Sequence, residues 1–363
     1  MTIFYFWIMG KHAKLFLALS IIPQIGLVKV LALFPEFVER YYSNGLYRFI
    51  SKLSHYTFGW IPFSVGDILY TIAIIFILRW LYLNRKRIIT DTTNWVLEVL
   101  CTLSIGYFAF HLFWAFNYYR LPLHKSFGIE NEYTTEELLG FTKQLIVKSN
   151  EIHHGIAPND STKVTMPFTK RELLAKTPEG YDELAKIFPD LNYHPVSLKR
   201  SIYSLPLTYM GFSGYLNPFT NEAQIDGLIP EYKYPTTSAH EMAHQLGFAA
   251  ENEANFIGSM AAMHHKNAYF QYSGYTFALA HCLGDLYSRS PKQYDEILKT
   301  INPGILKNYE EARAFWKAYQ NPLEVVFKGT YNGFLKANNQ AAGIESYSYV
   351  VALLVNFHKN HPL

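Results

Sequence analysis

Residues 235–255 read PTTSAHEMAHQLGFAAENEAN and contain the motif His240-Glu241-x-x-His244. Residues four apart lie on one face of a helix, so His240 and His244 can direct imidazole nitrogens at a single cation. Glu241 follows about 100° further round the same helix, beside whatever the cation would hold. The spacing predicts a helical zinc site, and a catalytic zinc ion usually takes a third protein ligand.

An acidic cluster follows the motif, and Glu251 is the first candidate for the third ligand. The run ENEAN at 251–255 resembles the E-x-x-[AS]-[DN] pattern of the gluzincin metallopeptidases. In that family the glutamate binds zinc and the last residue of the pattern hydrogen-bonds a ligand histidine. The resemblance implies that Glu251 is the ligand and that Asn255 fixes a histidine tautomer. Glu253 stays open as an alternative ligand.

The link between the second histidine and the acidic cluster is short. Six residues separate His244 from Glu251, fewer than gluzincins generally have. Gly247 matches the glycine of the metzincin motif, but Ala250 occupies the position of their third ligand and cannot bind a metal. The sequence therefore predicts a gluzincin-like arrangement with a tight turn at Gly247 and a second helix that begins near Glu251.

Composition divides the chain into two parts. Aromatic and charged residues each make up 17% of the chain, an unusual balance for a soluble enzyme. The apolar excess precedes residue 120, which predicts a membrane domain over 1–116 and a separate domain over 117–363. The net charge of +3 is too small to indicate nucleic-acid binding. Cys101 and Cys282 fall in different parts and predict no disulfide framework.

Three segments are long and apolar enough to cross a bilayer, which takes about 20 residues. They cover roughly 15–34, 65–83 and 95–116. Lysines precede the first segment, and the basic run at 85–87 links the second and third. By the positive-inside rule both basic regions face the cytoplasm. We therefore expect a multi-pass protein of the cell membrane, with its N-terminus cytoplasmic and its C-terminal domain outside the cytoplasm.

The loop over 35–64 should lie on the same outer side as the C-terminal domain. Its mixed charges and many aromatic residues predict an amphipathic segment that lies on the lipid bilayer or under the domain. An unstructured loop is the alternative. Further along, 214–225 precedes the metal helix, where zincins place an antiparallel edge strand that binds extended substrate. A strand that only packs is the alternative there, and Glu222 is expected to be a solvated charge at the strand end.

The order of features resembles a more particular family. GYLNPFTNEAQ at 214–224, SAHEMAHQLGFAAENEANF at 238–256 and YNGFLKANNQAAGIESYSYVVALL at 331–354 follow the three spans. Together they look like an uncharacterised bacterial family of membrane-anchored zincins, known only as a domain of unknown function. The resemblance implies an α+β, predominantly α architecture. Three N-terminal transmembrane helices would precede a zincin-like metallopeptidase domain with a small antiparallel sheet.

These residues imply zinc-assisted hydrolysis of peptide bonds in a peptide or protein substrate. Zn²⁺ in the predicted site would acidify a water molecule, and Glu241 would take its proton and pass it to the leaving amine. A further donor would stabilise the oxyanion, with Tyr347 and His281 as candidates.

Two alternatives remain. An intramembrane protease would carry its histidines within a spanning helix, which the polar surroundings of His240 disfavour. A membrane-bound binding or signalling protein would use the zincin scaffold to hold a peptide or cell-wall component without cutting it. The intact Glu241 favours catalysis, since a purely structural site does not need that carboxylate.

Overall fold

Helices dominate the computed structural model, which describes residues 10–340, 343 and 349–363. Three stretches are long and apolar enough to cross a membrane, namely Lys11–Leu31, Val65–Asn84 and Thr92–Phe113. They confirm, to within a few residues, the three predicted helices that are long and apolar enough to span. The first part of the chain forms α1 (Lys11–Leu19), α2 (Ile21–Leu31), α3 (Tyr47–Phe58), α4 (Val65–Asn84) and α5 (Thr92–Phe113).

The segment between the first two spans is helical and packs against the rest of the protein. A short helix at Pro35–Phe37 and a π-helix at Val38–Leu46 lead into α3. Tyr47, at the start of α3, is fully buried. Its hydroxyl donates a hydrogen bond to the carbonyl oxygen of Gln245, 198 residues further along. The unstructured-loop alternative is therefore wrong for this segment.

The second part of the chain is also mainly helical. Its helices are α6 (Thr135–Ile156), α7 (Lys170–Lys176), α8 (Pro178–Leu184), α9 (Ser204–Met210), α10 (Tyr234–Gln245), α11 (Glu251–Met263), α12 (Ala268–Arg289), α13 (Pro291–Leu298), α14 (Pro303–Tyr319), α15 (Pro322–Ala337) and α16 (Val350–His358). Across both parts of the chain, short helical turns lie between these helices at Arg87–Thr90, Ala115–Tyr119, Leu123–Phe127, Pro189–Leu191 and Glu231–Lys233.

The main hydrophobic core surrounds α10 and α11. Met242 and Ala243 of α10, Met260 of α11 and Leu279 of α12 are at most 2% exposed and belong to it. The apolar residues of α16 close the core from another side and are all buried. The helix that carries the histidine motif is therefore central, and its backbone position is fixed by packing on several sides.

The sheet has three short strands in the order β1-β3-β2, with β1 (Leu198–Arg200), β2 (Gly214–Asn217) and β3 (Glu222–Ile225). β2 and β3 form an antiparallel hairpin, but β1 pairs with β3 in parallel. The prediction of an antiparallel sheet is therefore wrong for β1. The reason is the connection, since α9 and β2 lie between β1 and β3 and supply the long crossover that a parallel pair needs.

Glu222 attaches the sheet to the second span. Its carboxylate accepts hydrogen bonds from the backbone N–H groups of Val65 and Gly66, at 3.2 and 2.6 Å, and is fully buried. The first N–H groups of a helix have no partner within the helix and carry partial positive charge, so a carboxylate is well placed there. The prediction of a solvated strand-end charge is wrong, because the partner helix lies 157 residues away in sequence.

Removing the Tyr47 hydroxyl tests how strongly the segment over 35–58 is tied to α10. In Tyr47→Phe the buried amide of Asn221, which donates to that hydroxyl at 2.9 Å, loses its acceptor. A buried polar group left unpaired costs about 1–3 kcal/mol. We expect a lower midpoint of thermal unfolding for the full chain in detergent. Tyr41→Phe is the control, because Tyr41 is 56% exposed. Equal midpoints for the two variants would contradict this account.

Candidate metal centre

The turn after α10 makes the short link between the two helices possible. Gly247 has φ of +90°, a conformation that a residue with a side chain rarely adopts. The N–H groups of Gly247 and Phe248 bond back to the carbonyls of His244 and Ala243, at 3.0 and 3.1 Å. α11 then begins at Glu251. The predicted tight turn and the predicted start of the second helix are both confirmed.

Side chains from the N-terminal part of the chain bind the backbone carbonyls at the end of α10. The last carbonyls of a helix lack partners within it, so they need donors from elsewhere. The indole N–H of Trp114 donates to the carbonyl oxygen of His244 at 3.1 Å, and the Tyr47 hydroxyl donates to that of Gln245 at 2.9 Å. Both donors precede the metal helix by more than 100 residues, so the sequence pattern around the motif could not reveal them.

Arg120 supports the turn itself. Its guanidinium donates to the carbonyl oxygen of Gly247 at 2.9 Å and forms an ion pair with Glu39 at 2.6 Å. It also lies over the ring of Phe248, 4.2 Å from the centroid. These contacts stabilise the turn between the helices that carry the candidate ligands. In the sequence, Glu39 precedes α5 and Arg120 follows it.

α11 packs closely on α10 at the first histidine. A Cβ atom on Gly258 would lie 2.6 Å from the backbone nitrogen of His240 and 2.8 Å from its Cα. Only a glycine permits this approach. The two helices are thereby brought close enough for the carboxylate of Glu251, two turns earlier on α11, to reach both imidazoles.

The three predicted ligands meet with distances that suit a zinc ion. Candidate ligand atoms of His240, His244 and Glu251 lie within 4.8 Å of one another. Glu251 Oε2 lies 3.3 Å from His240 Nε2 and 3.7 Å from His244 Nε2. Two atoms that are each about 2.1 Å from a tetrahedral zinc ion lie about 3.4 Å apart. The residues fit such an ion without rearrangement of the helices.

The hydrogen-bond partners orient the ligand atoms toward one another. His244 Nδ1 lies 2.7 Å from the carbonyl oxygen of Phe248, which can only accept, so Nδ1 carries the hydrogen and Nε2 is left for a cation. Glu251 Oε2 is buried and, apart from its ion pairs with the two histidines, has no hydrogen-bond partner among the residues that the structure describes. A buried polar atom without a partner indicates a missing one. The orienting carbonyl was not predicted, although the turn at Gly247 is the feature that presents it.

Charge interactions within the group are strong. Burial would raise the pKa of the Glu251 carboxyl, but His244 and His240 beside it hold that pKa well below its usual range. Burial would lower the pKa of His244, yet the Glu251 carboxylate raises it to about 9. Burial also raises the pKa of Glu241, against the opposing effect of the two histidines. The group is therefore a buried arrangement of coupled charges, as functional sites often are.

Glu253 and Asn255 lie on α11 but have other surroundings. Glu253 accepts a hydrogen bond from the backbone N–H of Leu123 at 2.6 Å, and burial raises its pKa to about 7. It lies outside the group of possible ligands, which contains Glu251. Asn255 is buried, and its side-chain nitrogen has no hydrogen-bond partner in the described part of the chain. Its contact with a ligand histidine stays a prediction.

Of the two predicted oxyanion donors, Tyr347 lies outside the described residues. His281 is on α12, and burial lowers its pKa to about 4, with further lowering from Lys233 and His240. The structure brings a different phenol to the site. The hydroxyl of Tyr331 on α15 donates to Glu251 Oε1 at 2.5 Å. With 28 tyrosines in the chain, nothing in the sequence distinguished this one.

The hairpin strand β2 runs beside the predicted general base. A Cβ atom on Gly214 would lie 2.7 Å from Glu241 Oε1. The backbone of the strand therefore approaches the carboxylate more closely than a residue with a side chain would allow. β2 pairs with β3 on one side and is an edge strand of the described sheet. The stretch 214–225 thus contains both the strand expected next to the metal helix and the glutamate that attaches the sheet to α4.

A family model described as "Protein of unknown function (DUF3810)" matches residues 42–355. The chain belongs to the DUF3810 family. The match starts in the π-helix before α3 and ends in α16, so the DUF3810 unit includes two of the three apolar spans as well as the histidine motif and Glu251. No curated protein and no solved structure matches this chain.

Gly258→Ala tests the close packing of the two ligand-bearing helices. The new methyl group would meet the backbone of His240, so α10 and α11 must separate. Overpacking of this kind typically costs about 1–3 kcal/mol. Gly284→Ala is the matched control, because that glycine lies in α12 and a methyl group there would meet no atom within 4 Å outside its own stretch of helix. We expect a lower unfolding midpoint for the first variant and an unchanged or higher one for the control. The reverse order would contradict the packing account.

Proposed function

We propose that this DUF3810 protein is a membrane-anchored zinc metallopeptidase that hydrolyses peptide bonds of extracytoplasmic or membrane-proximal substrates. The observation that carries the proposal is the position of Glu251 Oε2, 3.3 and 3.7 Å from the Nε2 atoms of His240 and His244. By the positive-inside rule we propose that the N-terminus is cytoplasmic and that the metal centre lies on the opposite side of the membrane.

The donor set supports zinc in particular. Two imidazoles and one carboxylate are a common ligand set of catalytic zinc, whereas calcium and magnesium prefer all-oxygen sites. When bound, zinc supplies a Lewis acid that polarises a carbonyl and makes a water molecule more acidic. His240, His244 and Glu251 would hold it through Nε2, Nε2 and Oε2.

Glu241 is suited to the proton transfers. It follows His240 on α10 but is not part of the ligand group. Its carboxylate is buried, and its Oε2 has no hydrogen-bond partner among the described residues. Burial raises its pKa, which makes the carboxylate a better proton acceptor. In the proposed reaction the Glu241 carboxylate takes a proton from the attacking water and returns it to the leaving amine.

The edge strand supports a polypeptide substrate. An extended peptide can add to the unpaired edge of a strand through backbone hydrogen bonds. β2 passes Glu241 at Gly214, so a peptide on that edge would run beside the base. Tyr331 is our candidate for the donor that stabilises the oxyanion, because its hydroxyl lies 2.5 Å from Glu251 and its single O–H would turn from that carboxylate to the oxyanion.

One observation favours a non-catalytic alternative, in which the protein binds zinc or a peptide without cutting it. The site is nearly closed, with Glu241, His244 and Glu251 only 4%, 6% and 3% exposed. Tyr331 of α15 contacts the site from one side. Under the peptidase proposal, α15 must therefore move before a substrate reaches Glu241, whereas a binding role requires no such opening.

Zinc affinity should depend on pH. Without a metal, Glu251 raises the pKa of His244 to about 9, so His244 is protonated at neutral pH and zinc must displace that proton. The apparent affinity should therefore rise about tenfold per pH unit between pH 7 and 9. In Glu251→Gln the neighbouring charge is lost, and this rise should flatten. Titration of the metal-depleted full-length protein with zinc, in the presence of a competing chelator, measures the pH dependence of zinc affinity in the wild type and in the variant. A flat profile for the wild type over that range would contradict the proposed ligand set.

A test of whether cleavage depends on Glu241 distinguishes the peptidase from the non-catalytic binding protein. The purified full chain with one zinc ion should cleave casein or a pool of quenched fluorescent peptides. Glu241→Gln should retain zinc and lose about 10²–10⁴-fold in kcat, the usual contribution of a general base. Glu136→Gln, an exposed glutamate on α6, is the control and should behave as wild type. Zinc binding without cleavage dependent on Glu241 would favour the binding alternative.

A further inference from the structure

Two neighbouring helices expose an unusual number of apolar side chains. α15 begins with the sequence PLEVVF, and three of its side chains are more than 60% exposed. Three more apolar side chains are about half exposed, namely Ile202, just before α9, and Leu205 and Tyr209 within it. We call these six residues the apolar patch: Ile202, Leu205, Tyr209, Leu323, Val325 and Val326, exposed by 57, 51, 48, 64, 73 and 62%. Exposed apolar surface of this kind marks a contact with lipid or with another molecule.

The patch is continuous across the two helices. The side chain of Asn321, just before α15, donates to the carbonyl oxygen of Tyr209 at 2.7 Å. A Cβ atom on Gly211, just after α9, would lie 3.0 Å from the carboxylate of Glu324. The first turns of α15 therefore lie on the end of α9, and their outer sides form one surface.

The residues just before α9 are hydrogen-bonded to the second span, α4, within the first two turns from its N-terminal end. Asp67 of α4 accepts hydrogen bonds from the backbone N–H of Ile202 and the hydroxyl of Ser201, at 2.8 and 2.9 Å. The Tyr203 hydroxyl bonds with the Thr71 hydroxyl one turn deeper along α4. Thr71 is six residues from Val65, which is about 9 Å along the helix axis.

The length of α4 determines where this contact lies. α4 has 20 residues, which give about 30 Å of helix, and the hydrocarbon core of a bilayer is also about 30 Å thick. The whole helix is then needed to cross, so Asp67 and Thr71 lie at or below the edge of the hydrocarbon. A carboxylate at this depth needs protein partners. Asp67 has them and is fully buried, because residues next to α9 cover it.

We propose that the apolar patch is embedded in the membrane beside α4, and that the metal centre therefore receives polypeptide segments at the membrane interface. Lipid is the molecule that we expect to cover the apolar patch, because the patch continues the apolar surface of α4. At the same level α4 exposes Ile68, Leu69 and Ile72, by 38, 45 and 55%, so the patch extends the surface of a helix that is itself long and apolar enough to cross the bilayer.

The metal centre lies close to this surface. Gly211 directly follows α9 and Gly214 lies beside Glu241, and three residues span at most about 11 Å. Between them, Phe212 packs against Tyr331, with ring centroids 5.2 Å apart. A substrate that reaches β2 from the membrane plane thus passes the edge of the patch. The entry of substrate at the membrane interface rests on the proposed peptidase function, whereas the embedding of the apolar patch does not.

Spin labels on the full chain in lipid nanodiscs test the embedding. Single cysteines replace Leu205 and Val325, and the native Cys101 and Cys282 are fully buried and give the unlabelled background. We expect both labels to be relaxed by oxygen and protected from aqueous nickel, like a label at Ile75 in the middle of α4. A label at Val147, 66% exposed on α6, should show the opposite.

Two results would overturn the embedding. Nickel access at Leu205 and Val325 equal to that at Val147 would place the patch in water. Protection from both reagents with dipolar broadening between labels would show a second copy of the chain covering it.

A cleavage comparison tests the substrate class. A pool of quenched fluorescent peptides is supplied in solution or coupled to lipid in the same phosphatidylcholine vesicles. The coupled pool should be cut at least tenfold faster, and the double variant Leu205→Glu, Val325→Glu should lose this advantage while still cutting the soluble pool. Equal rates for both pools in the wild type would overturn the membrane-substrate inference and leave the peptidase proposal standing. Absence of cleavage dependent on Glu241 in either pool would overturn the peptidase proposal, and the spin labels then decide the embedding alone.

Discussion

The hydrogen bonds around Gln245, the last residue of the metal helix, are the constraint on which the rest of the structure depends. Its side-chain nitrogen donates to the carbonyl oxygens of Asn221 and Ser197 in the sheet region, at 2.6 and 2.9 Å. Its side-chain oxygen accepts from the Tyr193 hydroxyl at 2.5 Å, and its backbone carbonyl accepts from Tyr47. The ligand helix, the sheet and the segment between the first two spans therefore share one buried residue. Because each of these groups would otherwise be buried without a partner, the three parts are expected to fold together.

This arrangement explains how six residues can connect the second histidine to the third ligand. Gly247 turns the chain in a left-handed conformation, and Arg120 and Trp114 bind the carbonyls at the turn. The donors come from the N-terminal part of the chain that contains the three apolar helices, so the geometry of the candidate metal centre depends on that part being in place. Burying coupled charges such as Glu251 and His244 is unfavourable unless the surrounding polar groups are satisfied. The network at the end of α10 provides partners for the backbone carbonyls of His244 and Gln245. Among the described residues, Glu251 Oε2 has no hydrogen-bond partner beyond its ion pairs with the two histidines, which is where a cation would fit.

Periodic and local features could be predicted from the sequence. The spacing of His240 and His244, the glycine at 247 and the apolar spans depend on residues close together in the chain, and the structure agrees with each. The features that were missed depend on contacts between distant residues. Tyr331 reaches Glu251 across 80 positions, and Glu222 meets α4 across 157. Composition alone describes Glu222 as an exposed charge, because only the assembled fold supplies the helix end that it binds.

We propose that two imidazoles of α10 and the carboxylate of Glu251 hold a zinc ion with a position left for water. Zinc K-edge X-ray absorption on the purified full-length protein tests it most directly. We expect one zinc ion per chain with four nitrogen and oxygen neighbours at about 2.0–2.1 Å and the scattering of two imidazole rings. A spectrum with no imidazole scattering, a six-oxygen shell, or failure of the protein to take up zinc at neutral pH would contradict it.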